Sequence, residues 1–179
     1  MRILAEETSC IIVDYQEKIL PVMSNKEQLL ENSIKLIKGL KILNIPMLIT
    51  GQYTKGLGLN VDEIFEAAGT NQYIDKLTFS SYENSELQKQ IDKNRKNVIV
   101  CGIEAHVCVL QTLLDLKSAG YQPVLVTDCI SSRNESDKEI ALIRAQQEGI
   151  WLTTSESILF ELTRAAGTDT FKQISKLVK

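Results

Sequence analysis

The sequence predicts a doubly wound (Rossmann-like) α/β domain, a three-layer α/β/α arrangement around a mainly parallel six-stranded sheet. Three observations predict it. Short apolar runs alternate with longer amphipathic patterns from one end of the chain to the other, the order that gives a parallel sheet with helices on both faces. The runs are continuously hydrophobic, as strands covered on both faces are. No repeat, linker or low-complexity segment interrupts residues 1–179, so the chain reads as one domain.

The first strand is S-C-I-I-V-D (9–14), and a helix follows over 26–43, with Leu29, Leu30, Ile34, Ile37 and Leu40 at helical spacing. P-M-L-I-T (46–50) gives the second strand. After it comes G-Q-Y-T-K-G-L-G-L-N (51–60), three glycines with a lysine and a tyrosine, the kind of loop that borders a crevice and can act as a lid. Q-Y-I-D (72–75) is a weaker strand. N-V-I-V-C (97–101) is a strong one, and it leads through Gly102 into a helical pattern over 106–119 carrying Val109, Leu110, Leu113, Leu114 and Leu116. P-V-L-V-T (123–127) is the next strand. The helix expected over 135–148 sets Ile140, Ala141 and Ile143 against a charged side. I-W-L-T (150–153) closes the sheet, and the stripe of Phe171, Ile174, Leu177 and Val178 predicts that the tail, 168–178, docks on the body.

Composition narrows the function. The chain is 44% hydrophobic and 24% charged with a net charge of −3, and no basic run follows a phosphate backbone, so neither nucleic acid nor an anionic membrane is an expected partner. No apolar stretch approaches the roughly 20 residues of a membrane span. Glu6 and Glu7 stand where a signal peptide would carry its apolar region. A cytoplasmic protein with a small-molecule substrate is expected. The four cysteines, Cys10, Cys101, Cys108 and Cys129, make no CxxC pair and no zinc-ligand spacing, so free thiols are expected. A single histidine, His106, cannot build a His-rich catalytic metal site.

In an open parallel sheet, ligands bind beyond the carboxyl ends of the strands, where the strand order reverses. Asp14 closes the first run, Lys76 follows Y-I-D, Cys108 follows the fourth run, one helical turn beyond Gly102, and Asp128 closes L-V-T-D. If the first and fourth strands are central, Asp14 and Cys108 face one another across the crevice. A free thiol, with a pKa of about 8.5, is lowered by a helix N-terminus or a nearby cation. Lys76 and the helix that Cys108 starts are expected to do this, while Asp14 can take the thiol proton and return it to a leaving group. Each residue alone also has a plain reading: Cys108 as buried packing, Lys76 as a solvated lysine, Asp14 as a loop cap. Cys10, Cys101 and Cys129 read as small core hydrophobes. Asp128, with Ser131 and Ser132, is expected to tie down its turn and cap the next helix. His106, two positions from Cys108, points elsewhere on a helix and reads as structural or pocket-lining.

The segments I-I-V-D-Y-Q (11–16), I-T-G-Q-Y-T-K-G-L-G (49–58), D-K-L-T-F-S (75–80), C-G-I-E-A-H-V-C-V-L-Q-T (101–112) and V-T-D-C-I-S-S-R (126–133) resemble the isochorismatase-like hydrolase superfamily, which includes the nicotinamidases. Within it the chain is most similar to the isochorismatase domain-containing proteins and their bacterial relatives. The resemblance implies an Asp-Lys-Cys triad at Asp14, Lys76 and Cys108. It also implies a cis peptide bond at Ile103–Glu104 that aims the amides of Glu104 and Cys108 at an oxyanion, and a homo-oligomer. Gln16, Tyr53, Phe79 and Tyr82 are expected to line the pocket. The metal-binding nicotinamidases carry an aspartate and two histidines after strand two. Here T-G-Q-Y-T-K-G (50–56) has no histidine, so neither metal nor other cofactor is expected, and nicotinamide deamidation by that arrangement is not. Isochorismate cleavage is not expected either, because vinyl-ether hydrolases need not use a cysteine. A cofactor-free cysteine hydrolase of a small amide or related C–N bond is the expected activity, with a catalytically idle binding or scaffold domain as its alternative.

Overall fold

In the computed structural model, which describes residues 2–179, every apolar run becomes a strand of one sheet. The strands are β1 (Thr8–Val13), β2 (Met47–Gln52), β3 (Ile74–Lys76), β4 (Asn97–Ile103), β5 (Gln122–Ser131) and β6 (Trp151–Thr153). They pair in the order β3-β2-β1-β4-β5-β6, every pair parallel. The order reverses between β1 and β4, so these two are central and their carboxyl ends open the crevice. Both are buried along their whole length, which is why their sequences are unbroken hydrophobic runs.

Alternate residues of β1 feed two separate cores. Cys10 and Ile12 face one side, where α1 (Lys26–Ile42), α3 (Asp62–Ala68), α7 (Ser155–Thr163) and α8 (Asp169–Leu177) pack. Ile11 and Val13 face the other, covered by α4 (Ser85–Gln90), α5 (Leu110–Ser118) and α6 (Glu135–Gln147). The tail docks as expected: Ile174 is buried and the Phe171 ring meets Phe160 at 6.2 Å. Among the described residues no helix is long and apolar enough to cross a membrane.

Three local expectations are corrected. The helix containing Cys108 does not begin as an ordinary α-helix: Ala105–Val109 form one π-helical turn before α5, a widening often found at functional sites. In α6 the residues facing the sheet are Ala141 and Ala145, while Ile140 and Ile143 point outward. Small residues let the helix approach closely, and both faces of this helix are apolar enough that periodicity does not say which turns inward. The 51–60 stretch is not a free loop either. β2 runs to Gln52, Thr54–Leu57 form a single turn, α2, and the Gln16 and Lys18 side chains hold the Gly58 and Gly56 carbonyls at 2.7 and 2.8 Å.

Candidate active site

β1 ends at Val13, and Asp14 turns out of the strand with a φ of 53°, a left-handed conformation uncommon for a residue with a side chain. Its carboxylate lies in the crevice, fully buried. Gly102 lies beside the same point on β4. Its φ of 136° and its closeness to the Val13 carbonyl leave no room for a Cβ, so β4 can approach β1 here only as glycine.

Lys76 is the last residue of β3 and is also buried. Its ammonium donates to Asp14 Oδ2 at 2.7 Å, to Gln52 Oε1 at 2.8 Å, and to the Phe79 and Thr78 carbonyls at 3.0 and 3.3 Å. Asp14 Oδ1 accepts from Thr50 Oγ1 at 2.8 Å. A buried charge is tolerated only when paired and hydrogen-bonded, and here both members are. Sequence reasoning missed Thr50 and Gln52. Their signal was position: they end the strand that lies between β1 and the strand carrying Lys76.

Cys108 sits in the π-helical turn, 6% exposed. Its carbonyl accepts from Thr112 Oγ1 at 2.7 Å, and that oxygen accepts from the Ser81 amide at 2.8 Å. Ser81 Oγ lies 3.3 Å from Thr50 Oγ1. A chain of polar contacts therefore links the turn carrying the thiol to the strand that positions Asp14. Both Asp14 and Lys76 act on the thiol. Burial, then the Asp14 carboxylate, push its pKa from 9.0 up to about 12, against a lowering by Lys76. The expected lowering is thus corrected. With Lys76 already paired to a carboxylate, its attraction does not offset desolvation, and the resting sulfur carries its proton.

The peptide bond between Ile103 and Glu104 is cis. The Glu104 side chain accepts from the Arg133 backbone at 3.1 Å and from its Nε at 3.2 Å, which ties this turn to the loop before α6. His106 Nδ1 bonds Ser132 Oγ at 2.9 Å and its Nε2 stands 4.0 Å from Asp137, a structural tether. Asp128 caps α7 and not the next helix, α6: its two oxygens accept from the Ser155 amide and hydroxyl at 2.8 and 2.6 Å.

Of the expected pocket-lining residues, Tyr53 and Phe79 are half exposed, at 51% and 52%, on the segments that leave β2 and β3. Gln16 is different. Its amide is saturated by the Gln52 amide and carbonyl and by the Gly58 carbonyl, so it braces the site and does not face a ligand. Tyr82 turns away as well: its ring packs edge-on against Tyr121 at 5.8 Å, before the start of β5 and so at the opposite end of the sheet. Among the described residues, no three His, Cys, Asp or Glu side chains gather as a metal-ligand set.

The isochorismatase domain model matches residues 8–157. Isochorismatase domain-containing protein 2A of Mus musculus is 37% identical over 180 residues, covering 99% of this chain and 85% of its own. A secreted isochorismatase effector, Isc1, of Phytophthora sojae is 36% identical, with 99% and 87% covered. Among solved structures, a MAR1 ribonuclease of Caenorhabditis elegans superposes with a TM-score of 0.94 at 36% identity, covering 99% of this chain and 92% of that one. The chain belongs to the isochorismatase domain family.

Proposed function

We propose that the protein is a cofactor-free cysteine hydrolase of a small amide or related C–N bond, with Asp14, Lys76 and Cys108 as its catalytic residues. One observation carries the reading: the buried Asp14–Lys76 pair, 2.7 Å apart, supplies the charges that act on the Cys108 thiol. A thiol held neutral beside a carboxylate keeps its proton until an electrophile arrives. As Sγ bonds to the carbonyl carbon, the proton passes to Asp14 and the carbonyl electron pair moves onto oxygen. The amides of Glu104 and Cys108 receive that oxyanion, one such donor being worth roughly 2.7–4 kcal/mol of barrier. Collapse breaks the C–N bond, and Asp14 returns the proton to the departing nitrogen. Water then attacks the thioester, losing its proton to Asp14, which hands it back to sulfur as the acid leaves. Lys76 stays protonated and holds Asp14 in line throughout. Tyr53 and Phe79 meet the substrate at the rim.

The test is hydrolysis of a panel of small amides by the wild type, Cys108→Ala and Asp14→Asn, with the intact protein weighed after exposure to each substrate. The expected result is a mass adduct on Cys108 and loss of turnover by roughly 10²–10⁴-fold or more. Product formed by Cys108→Ala at the wild-type rate sinks the proposal.

The nematode relative, named a ribonuclease, gives a second reading, phosphodiester cleavage. The net charge of −3 and the lack of a basic track argue against it. RNA cleaved by the wild type but not by Cys108→Ala would replace the amide reading; cleavage that survives the substitution would come from elsewhere.

A further inference from the structure

The turn that carries Cys108 does little to hold itself. Ala105–Val109 is a single π-helical turn, an uncommon and wider form than the α-helix it leads into. Glu104, the residue before it, makes no side-chain cap, and the Val107 and Val109 amides share the one Glu104 carbonyl at 3.1 and 3.2 Å. The far end is fixed by Thr112, whose hydroxyl donates to the Cys108 carbonyl at 2.7 Å. The near end is fixed from outside, by the loop after β5. Glu104 accepts from the amide and Nε of Arg133, and His106 Nδ1 meets Ser132 Oγ at 2.9 Å.

These two contacts are not equal. The Arg133 side chain is mostly exposed, and an ion pair in water holds weakly. Ser132 is fully buried, and among the described residues its hydroxyl bonds nothing but His106. The backbone around it is pinned: the Ser24 amide donates to the Ser132 carbonyl at 3.0 Å, and the Ser131 hydroxyl donates to the Ser24 carbonyl at 2.7 Å. His106 Nε2 stands 4.0 Å from Asp137, beyond a hydrogen bond, so the firm contact of the ring is the one to Ser132. We propose that His106 is a positioning residue, whose bond to the buried Ser132 hydroxyl holds the Cys108 turn at the depth, and the distance from Asp14, that the reaction needs. This role rests on the cysteine mechanism above, although the placement of the sulfur can be read without turnover.

Four variants of the full chain test this by amide hydrolysis, thermal unfolding and iodoacetamide alkylation mapped by peptide mass. His106→Phe keeps a ring and removes Nδ1; kcat falls by roughly 10²-fold with KM little changed, since the sulfur is misplaced while the rim is untouched. His106→Asn, whose amide takes the place of Nδ1, recovers most of the rate. His106→Gln, whose amide takes the place of Nε2, does not. The double variant His106→Phe, Ser132→Ala removes the hydroxyl left without a partner, so it regains the melting temperature lost by His106→Phe but not the rate. At mildly alkaline pH, Cys108 of His106→Phe alkylates faster by roughly tenfold or more, because the displaced thiol leaves the burial and the carboxylate that raise it; Cys10, Cys101 and Cys129 stay as protected as in the wild type. Asparagine that rescues no better than glutamine, a double variant that regains rate along with stability, or Cys108 alkylation that is unchanged would each overturn the proposal. A wild type that turns over no amide, with Cys108 alkylation still following this pattern, would sink the cysteine mechanism and leave the clamp on the sulfur standing.

Discussion

Three of the cysteines lie in the strands of the sheet and the fourth, Cys108, in the helical turn after β4, and burial affects the two groups alike while chemistry does not. Cys10, Cys101 and Cys129 are in one core against Tyr15 and α1. Cys129 alone of the three also has a carboxylate at hand, its Sγ standing 3.8 Å from Asp128 Oδ1. Among the described residues that carboxylate is held by Ser155 and has no cation beside it. Contact with Cys101, then burial, raise the Cys10 thiol, and burial first, then Cys101, raises Cys129. Cys108 is raised too, to about 12, but its neighbours are an ion pair that pulls in both directions. The difference teaches that exposure does not mark the thiol proposed as the nucleophile. What marks it is a carboxylate near enough to receive its proton and a cation that keeps that carboxylate in place.

The largest expected effect is on the pair itself. Replacing Lys76 by Met leaves the Asp14 carboxylate buried without its cation, and should cost about 3–5 kcal/mol of stability in urea unfolding. A cost within experimental error would mean that Asp14 is not held as a charge. Next is pH. Below about 9 the Cys108 thiol is protonated folded and unfolded, and its contribution to stability is fully present. Above that the unfolded chain releases the proton first, so stability falls as pH rises toward about 12. Cys108→Ala should remove one such group, making the decline shallower by about 1.4 kcal/mol per pH unit over that window. Parallel curves for the two proteins would place Cys108 among the inert thiols. Thr50→Val removes one hydrogen bond to Asp14 and should cost about 1 kcal/mol, with a larger loss in kcat than in KM because the base is misdirected. Tyr82→Ala should leave kcat and KM alone, since the ring faces the far end of the sheet; a change in either would put Tyr82 back at the site.

Much of this was legible in the sequence because of where the strands run. β1 and β4 are covered on both faces, so their apolar runs are unbroken, and the residues that close those runs, Asp14 just past β1 and Gly102 near the end of β4, mark the crevice. Lys76 was harder, because β3 is three residues long and its signal is faint. Residues 155–163 carry a signal for α7 in Ile158, Leu159 and Leu162, but one so short and so close to β6 that periodicity does not separate it. The two faces of α6 were not distinguishable without the sheet it packs on. Gln16 shows a further limit. A polar residue beside a candidate site residue such as Asp14 reads as ligand-binding, and only its hydrogen bonds reveal a brace. The direction of the Cys108 shift was not legible at all, since it depends on depth and on Lys76 being already paired.

The most direct measurement is the rate of iodoacetamide alkylation at Cys108, mapped by peptide mass at one mildly alkaline pH in the wild type and in Asp14→Asn. Asparagine keeps the shape but removes the charge that raises the thiol while Lys76 still lowers it. The expected result is alkylation of Cys108 faster by roughly tenfold or more, with Cys10, Cys101 and Cys129 still protected and hydrolysis lost. Alkylation that is unchanged or slower, in a variant whose other three cysteines remain protected, would contradict the coupling of Asp14 to the sulfur.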